Sequence, residues 1–241
     1  MQLIQPAEAN DIEDKTLSGR TTRALREAII NGDIPAGEKL NEPRLAEQFK
    51  VSRGPLREAI RRLVAIRLVH YIPNQGATVV TLDRQSIMDL YEVREVLEGK
   101  AAALAARSMN SADIAKLREL LEVHRQHYQS TDGEYLQTGG DFDFHYRIIK
   151  GSGNVLLINQ LCNELYHLIR MFRVQTSRFK TRSNRALTEH SHLLDAIEQR
   201  DSQLAEVVMR HHINRAKESI RKYLNETSSQ TSSQDEALSE T

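Results

Sequence analysis

The chain has 241 residues, enough for one or two domains, and its 33 basic and 33 acidic side chains give a formal net charge of zero. This balance argues against a uniformly basic nucleic-acid-binding protein. The single cysteine, Cys162, excludes a disulfide within the chain, and its apolar surroundings predict a buried thiol. We see no signal peptide and no apolar run of about 18 residues, so we expect a soluble cytoplasmic protein with no membrane span.

The charges are distributed unevenly along the chain. Residues 1–14 carry four acidic side chains and no basic one, which predicts a flexible arm. Residues 15–82 hold 12 Lys and Arg against 6 Asp and Glu, whereas residues 83–226 hold 21 against 20. Residues 227–241 form a Ser/Thr-rich acidic tail that we expect to be disordered. The positive charge is thus concentrated near the N-terminus, as a nucleic-acid-binding surface requires.

The basic region predicts three short helices. The first covers residues 18–31 and ends at Asn31-Gly32-Asp33. Asn41 and Ser52 are N-cap candidates for the second and third helices, each followed by a proline in the first turn, where a missing N–H does no harm.

A row of arginines lies along the third predicted helix. Arg53, Arg57 and Arg61 are each four residues apart, beside an apolar arc that contains Leu56 and Ile60. Like charges at this spacing are mildly unfavourable within one helix, but a polyanion would stabilise them. The alternative is an ordinary surface helix with solvated arginines.

Two strand-like runs follow the arginine row. Residues 69–73 and 77–80 flank Asn74-Gln75-Gly76, which predicts a hairpin tip. Together with the preceding helices, the pattern predicts a winged helix-turn-helix, in which the second helix offers its N-terminal residues to the major groove.

The rest of the chain predicts helices only. Residues 83–226 contain no proline and few glycines, and their apolar residues recur at spacings of three and four. We expect helices near 84–107, 111–130, 134–150, 154–175, 184–199 and 201–225. The predicted fold is therefore mainly α, with an N-terminal winged helix-turn-helix and a C-terminal all-α antiparallel helical bundle.

Four residues of the helical region form a candidate metal site. Asp141 and His145 are four residues apart and share one helix face, while His190 and His212 lie on the apolar faces of two later helices. One carboxylate and three imidazoles suit a divalent transition metal such as Zn, Ni, Mn or Fe. Histidines on apolar faces can also be core residues that bind no metal, and this alternative stays open.

The N-terminal segments GDIPAGEKLNEPRLAEQ, VSRGPLREAIRRL and PNQGATV resemble the GntR superfamily of bacterial transcription regulators. The resemblance implies that Arg53 and Arg57 contact bases and phosphates, and that Gly76 approaches the minor groove. Some relatives carry an arginine at the position of Pro43, and here the arginine is the next residue. The candidate DNA contacts are Arg44, Ser52, Arg53, Gly54, Arg57, Arg61 and Gly76.

The later segments DFDFHYRIIKGSGNVLL, EHSHLLDAIEQRD, VVMRHHINRA and LYEVREVLEGKAAALAA resemble the FCD effector domain of the FadR subfamily. This resemblance implies that Asp141, His145, His190 and His212 bind the metal, and that a small carboxylate effector fills its remaining coordination sites. Arg94 matches an arginine of the domain's opening helix. It is either an effector contact or a salt-bridge partner of Glu95 or Glu98.

These observations predict a transcriptional regulator and not an enzyme. We expect a homodimer on a palindromic double-stranded DNA operator, with residues 15–82 binding DNA and residues 83–226 binding metal, effector and the second copy. Repression is the commoner behaviour in the resembled family. The alternatives are a metal-dependent hydrolytic enzyme and a DNA-binding protein whose metal is purely structural.

Overall fold

The computed structural model describes the backbone of residues 15–81, 83–130, 140–175 and 183–239. Within these ranges it leaves out the side chains of residues 141–143, 173, 175, 183–184, 223 and 226–239. The predicted arm, residues 1–14, lies outside the described part. Two compact units are present among the described residues: one contains 15–81, 140–142 and 155–175, and the other contains 83–130, 143–154 and 183–239.

Helices dominate the described chain, as predicted. In chain order the elements are α1 (Leu17–Asn31), α2 (Glu42–Gln48), α3 (Arg53–Ala65), β1 (Val69–Ile72), β2 (Gly76–Val79), α4 (Arg84–Ser108), α5 (Ser111–Ser130), α6 (Gly140–Gly151), α7 (Val155–Ile158), a π-helical segment (Asn159–Glu164), α8 (Tyr166–Gln175), α9 (Ser183–Glu198) and α10 (Ser202–Ser239).

Local signals set the boundaries of the first three helices. Asn41 caps α2, since its side chain accepts a hydrogen bond from the backbone N–H of Arg44 at 3.0 Å. Gly32 ends α1 with φ of +85°, a left-handed conformation that favours glycine. Ser52 occupies the N-cap position of α3, but its side chain makes no capping hydrogen bond, so the predicted cap is positional only.

The wing is an antiparallel hairpin next to the third helix. Strands β1 and β2 pair from Val69 opposite Val79 to Ile72 opposite Gly76. The segment before α2 joins β2 through an isolated bridge between Lys39 and Thr78. This arrangement confirms the predicted winged helix-turn-helix, and its core includes five fully buried leucines: Leu25, Leu45, Leu56, Leu63 and Leu68.

The second unit is a set of antiparallel helix pairs. Helices α4 and α10 are bridged by Arg210 with Glu95 at 3.1 Å and by Lys217 with Glu92 at 3.0 Å. At Gly99 the two helices approach closely, since an added Cβ would lie 2.5 Å from Cγ of Arg210. Four further residues of α4 are fully buried and have small side chains, which suits close packing of this helix within the unit: Ala101, Ala102, Ala105 and Ala106.

Several helix boundaries differ from the sequence prediction. The backbone of α10 stays helical to Ser239, where the sequence predicts a disordered tail from Thr227; no proline or glycine interrupts residues 202–239. Residues 134–139 of the predicted third bundle helix lie outside the described part. Cys162 is buried, as predicted. No helix among the described residues is long and apolar enough to cross a membrane.

Leu45 is the buried residue that holds the short helix α2 in place. We expect Leu45→Ala to lower the free energy of unfolding by about 2–5 kcal/mol, because the lost transfer energy and the residual cavity both destabilise the fold. Urea denaturation measures this change. Leu17→Ala is the matched control: Leu17 is 46% exposed, and its loss should change stability by less than about 0.5 kcal/mol. Equal effects of the two substitutions would contradict this account of the core.

Candidate functional site

The outer side of α3 carries the arginine row. Leu56, Ile60 and Leu63 are buried against the rest of the winged helix. Arg57 and Arg61, in contrast, have 60% and 76% of their side-chain surface exposed. The helical period therefore separates an inner packing side from an outer cationic side, and the latter can face DNA phosphates and base edges.

Carboxylates hold several of these guanidinium groups. Arg57 donates from Nε to Oε2 of Glu42 at 2.7 Å, which joins α3 to the first turn of α2. Arg44 pairs with Oε1 of Glu38 through its terminal nitrogen Nη2. The sequence prediction missed Glu42 as a functional residue. Its place directly after the N-cap of α2 was the only hint in the sequence. The contact with Arg57 could not be inferred from it, because the two residues meet only in the folded chain.

The start of α3 and the wing complete the cationic surface. Ser52, Arg53 and Gly54 are exposed, and a Cβ added to Gly54 would meet no atom within 4 Å, so a DNA backbone can approach closely there. Gly76 adopts φ of +91° at the wing tip. Lys39 lies beside it, with Cε 3.7 Å from the position of an added Cβ, and is a cation that sequence reasoning missed.

Three predicted ligands converge in the second unit. His145, His190 and His212 are only 5%, 0% and 4% exposed. The Nε2 atom of His190 lies 3.3 Å from the Nε2 atoms of both other rings, and the three possible ligand atoms lie within 4.8 Å of one another. His192 and His211, which the helical period turned away from this cluster, are exposed, as expected.

Two buried carboxylates orient the rings. His145 faces Oε2 of Glu98 with its Nδ1 at 2.7 Å, and His212 faces Oε2 of Glu189 with its Nδ1 at 2.7 Å. An ionised carboxylate only accepts hydrogen bonds, so each Nδ1 is the donor, and each Nε2 directs a lone pair at the centre. Sequence reasoning did not assign this role to Glu98 or Glu189. Such carboxylate–histidine pairs are typical of metal sites, where they fix the tautomer.

Arginines stabilise the two carboxylates in turn. Arg94, which is 3% exposed, donates from Nε to Oε1 of Glu98 at 2.7 Å, and its guanidinium lies 4.6 Å from the ring centroid of Tyr91. Burial opposes ionisation of Glu98, but the positive charge of Arg94 and the hydrogen bond from Nδ1 of His145 hold its pKa well below the usual value. Arg215 donates to Glu189 at 2.7 Å. Of the two salt-bridge partners considered for Arg94, Glu98 is the one observed.

The geometry of the rings fits a metal ion. Two imidazole nitrogens bound to one zinc at about 2.0–2.1 Å and the tetrahedral angle are about 3.3 Å apart, which is the distance from Nε2 of His190 to Nε2 of His145 and to Nε2 of His212. One N–H on His190 can donate to only one neighbouring Nε2 at a time, whereas a cation at the centre accepts all three lone pairs. Asp141 lies in the first turn of α6, but its side chain is outside the described part, so its role as a ligand stays a prediction.

Comparison with known proteins agrees with this architecture. Residues 17–79 match the bacterial regulatory proteins of the gntR family, and residues 89–215 match the FCD domain. The Nta operon transcriptional regulator of Aminobacter aminovorans is 34% identical over 159 residues, which cover 65% of this chain and 71% of that protein. The transcriptional repressor GlaR of Escherichia coli is 30% identical over 201 residues, covering 79% and 90%.

A solved structure shows the same fold. The structure of E. coli McbR/YncC superposes with a TM-score of 0.71 at 23% identity and covers 87% of this chain and 99% of that one. With the arginine-bearing winged helix and the buried histidine cluster, these matches establish that the chain belongs to the GntR family of bacterial transcriptional regulators, in the FadR-like group that carries an FCD domain, and is not an enzyme.

Proposed function

We propose that this regulator is a repressor whose affinity for a palindromic operator is controlled by a small organic acid bound at a metal in the FCD domain. The observation that carries the proposal is the convergence of three buried imidazole lone pairs in a chain that also presents an exposed arginine row. A regulator of this kind acts in the cytoplasm, where the chromosome is.

Homodimerisation is part of the proposal. One recognition helix reads only a few base pairs, and a genome offers many competing sites. Two copies related by a two-fold axis read two half-sites about one helical turn apart, which makes the operator palindromic. The candidate contacts of each copy are Arg44, Ser52, Arg53, Gly54, Arg57, Arg61 and Gly76.

The metal is proposed to be Zn, Ni, Mn or Fe, held by His145, His190 and His212 with Asp141 as fourth ligand. When bound, the ion supplies positive charge and open coordination positions that a carboxylate can fill. Arg94 is the proposed second anchor for the effector. The pair with Glu98 uses its Nε, and an arginine has four further N–H donors. The effector changes operator affinity only if it binds the DNA-competent and DNA-incompetent states with different affinity.

A purely structural metal is the second candidate. The burial of all three rings favours it, because structural sites are closed whereas ligand-binding sites keep an open position. The two candidates differ in one measurable property: only the first predicts that a small acid stabilises the metal-loaded protein.

The DNA-binding surface can be tested on an operator selected from a random DNA library. We expect Arg57→Ala to weaken binding by about 1–3 kcal/mol if Arg57 contacts a base, and to lower the slope of log affinity against log salt if it contacts a phosphate. Fluorescence anisotropy at several salt concentrations separates the two contacts. Arg125→Ala, an exposed change on α5, is the control and should leave affinity unaltered. Equal losses in both variants would contradict the assignment.

The metal site can be tested by thermal unfolding after EDTA treatment and after adding Zn, Ni or Mn with a panel of mono-, di- and tricarboxylates. A ligand of the native state raises Tm by mass action. We expect metal to raise Tm and one acid to raise it further, and His190→Ala to abolish both shifts. His192→Ala, on the same helix but exposed, should retain them. If metal raises Tm and no acid does, the site is structural.

Glu189 should set the metal affinity through His212. We expect Glu189→Gln to weaken metal binding about 10–100-fold, because the ring loses the anion that orients its tautomer and increases its basicity. Competition with a chelating dye measures this change. Glu198→Gln, on the same helix but exposed and paired with Arg118, should bind metal as the wild type does. An unchanged affinity in Glu189→Gln would show that Glu189 does not support the site.

A further inference from the structure

The segment Val155–Gln175 belongs to one domain by sequence and to the other by packing. It lies within the sequence that matches the FCD domain, residues 89–215. In the fold, however, it belongs to the same compact unit as the winged helix-turn-helix, where α8 packs against α1. A part of the effector domain is therefore built into the DNA-binding unit.

One bidentate ion pair joins the two helices. Arg170 donates from both terminal nitrogens to the two carboxylate oxygens of Glu27 on α1, at 2.8 and 2.7 Å. Bidentate pairs of this kind add geometric specificity to their attraction. The hydrogen bond from Arg170 is the main cause that holds the pKa of Glu27 below its usual value, so the carboxylate is ionised at physiological pH.

The neighbouring histidine adds no charge to the pair. Burial, with the charges of Arg26 and Arg170, lowers the pKa of His167 to about 3. Its ring is therefore neutral in the cell. At physiological pH the carboxylate of Glu27 is thus paired with two guanidinium groups, those of Arg26 and Arg170. Its bond to Arg170 joins α1 to α8.

A second contact lies just after the recognition helix. Arg67, in the turn between α3 and β1, donates to Glu164 at 3.5 Å, and Gln160 donates to the same carboxylate at 3.1 Å. Both members of the pair with Arg67 are well exposed, so its contribution to stability is small. Its position still places the end of the π-helical segment next to the element that carries the arginine row.

The segment is also covalently placed between two ligand-bearing helices. Helix α6 carries His145 and ends at Gly151, whose carbonyl accepts a hydrogen bond from the Ser108 hydroxyl at 2.7 Å. Only residues 152–154 separate α6 from α7, and a link of this length extends by at most about 3.6 Å per residue. The next helix among the described residues after α8 is α9, which carries His190. A displacement of α6 therefore acts on α7 over a short tether.

A joint lies inside the segment. The backbone N–H of Leu165 bonds to the carbonyl of Gln160 at 3.0 Å, five residues back, so one turn is π-helical between α7 and α8. Conversion of such a turn to α-helix shifts the register by one residue and rotates the following helix by about 100°. Single π turns of this kind occur frequently at functional sites.

We propose that Val155–Gln175 is the coupling element of the protein: occupation of the His145, His190 and His212 cluster by a divalent cation alters α8, and the Glu27–Arg170 pair passes that change to α1 of the DNA-binding unit. For its consequence in operator binding, the inference rests on the function proposed above. The coupling itself does not need DNA, and it can be measured separately.

The test compares wild type, Glu27→Gln, and the double variant Glu27→Arg with Arg170→Glu, which restores the pair in reversed order. Hydrogen exchange of α1 and α8 is measured with and without zinc, and the operator affinity of each protein is measured in the same two states. In wild type we expect zinc to change exchange in both helices. In Glu27→Gln the change should persist in α8 and disappear from α1, while zinc affinity is unaltered. The reversed pair should restore it.

Operator affinity gives an independent readout. We expect zinc to change the wild-type affinity by a factor in the usual allosteric range, about 5–150-fold, and the factor to fall towards one in Glu27→Gln. The factor is a ratio within one protein, so the extra positive charge of that variant cancels. Glu122→Gln, which removes one exposed carboxylate from α5, is the charge-matched control and should keep the wild-type factor.

The outcomes separate the two proposals. If zinc changes exchange in α1 of wild type but not operator affinity, the coupling stands and the proposed function fails. If Glu27→Gln shows the wild-type exchange response in α1, or if wild-type α1 does not respond to zinc, the coupling element is refuted, whatever the operator does. If the reversed pair behaves like Glu27→Gln, the ion pair is not the contact that transmits the change.

Discussion

The arrangement of the bundle depends on the cost of burying charge. Glu98 and Arg94 are almost fully removed from solvent, and an unpaired charge in such a place would cost several kcal/mol. Each charge is therefore bound to its opposite, and the chain of contacts continues from Arg94 through Glu98 to His145. The N–H of His145 at Nδ1 is therefore used by Glu98, so Nε2 of the neutral ring can only accept a hydrogen bond or bind a cation.

The same logic applies on the opposite side of the histidine cluster, where Arg215 and Glu189 orient His212. Two acceptor nitrogens then face His190, which has a single N–H to offer at Nε2. The single N–H of His190 can bond to only one of these two nitrogens at a time. A metal cation at the centre could instead bind all three Nε2 atoms. The capacity of the cluster to hold a metal thus depends on Glu98 and Glu189, since three histidines without these carboxylates could rotate to satisfy one another.

Much of this architecture could be predicted from the sequence, because helical periodicity decides which side of a helix is buried. The i+3 and i+4 relation of His190 to Leu193 and Leu194 placed its ring inside, and the same reasoning separated His212 from His211. Periodicity does not say what a buried side packs against. Glu98 and Glu189 lie 47 and 23 residues from the histidines they hold, so no local pattern could reveal them. Carboxylates on helices are usually solvated, which made them inconspicuous.

Helix α8 is a second case in which the sequence predicts a helix but not the element it packs against. The sequence correctly predicted a helix here, near residues 154–175, yet α8 packs against α1, which the sequence assigns to another domain. A boundary drawn along the sequence therefore does not coincide with the boundary of the packed units. Coupling free energies are reciprocal: a change at the metal site that alters operator affinity by some factor implies that operator binding alters metal or effector affinity by the same factor. A helix that belongs to one domain by sequence and to the other by packing offers a route for that exchange, because α8 follows the ligand-bearing helix α6 along the chain and packs against α1.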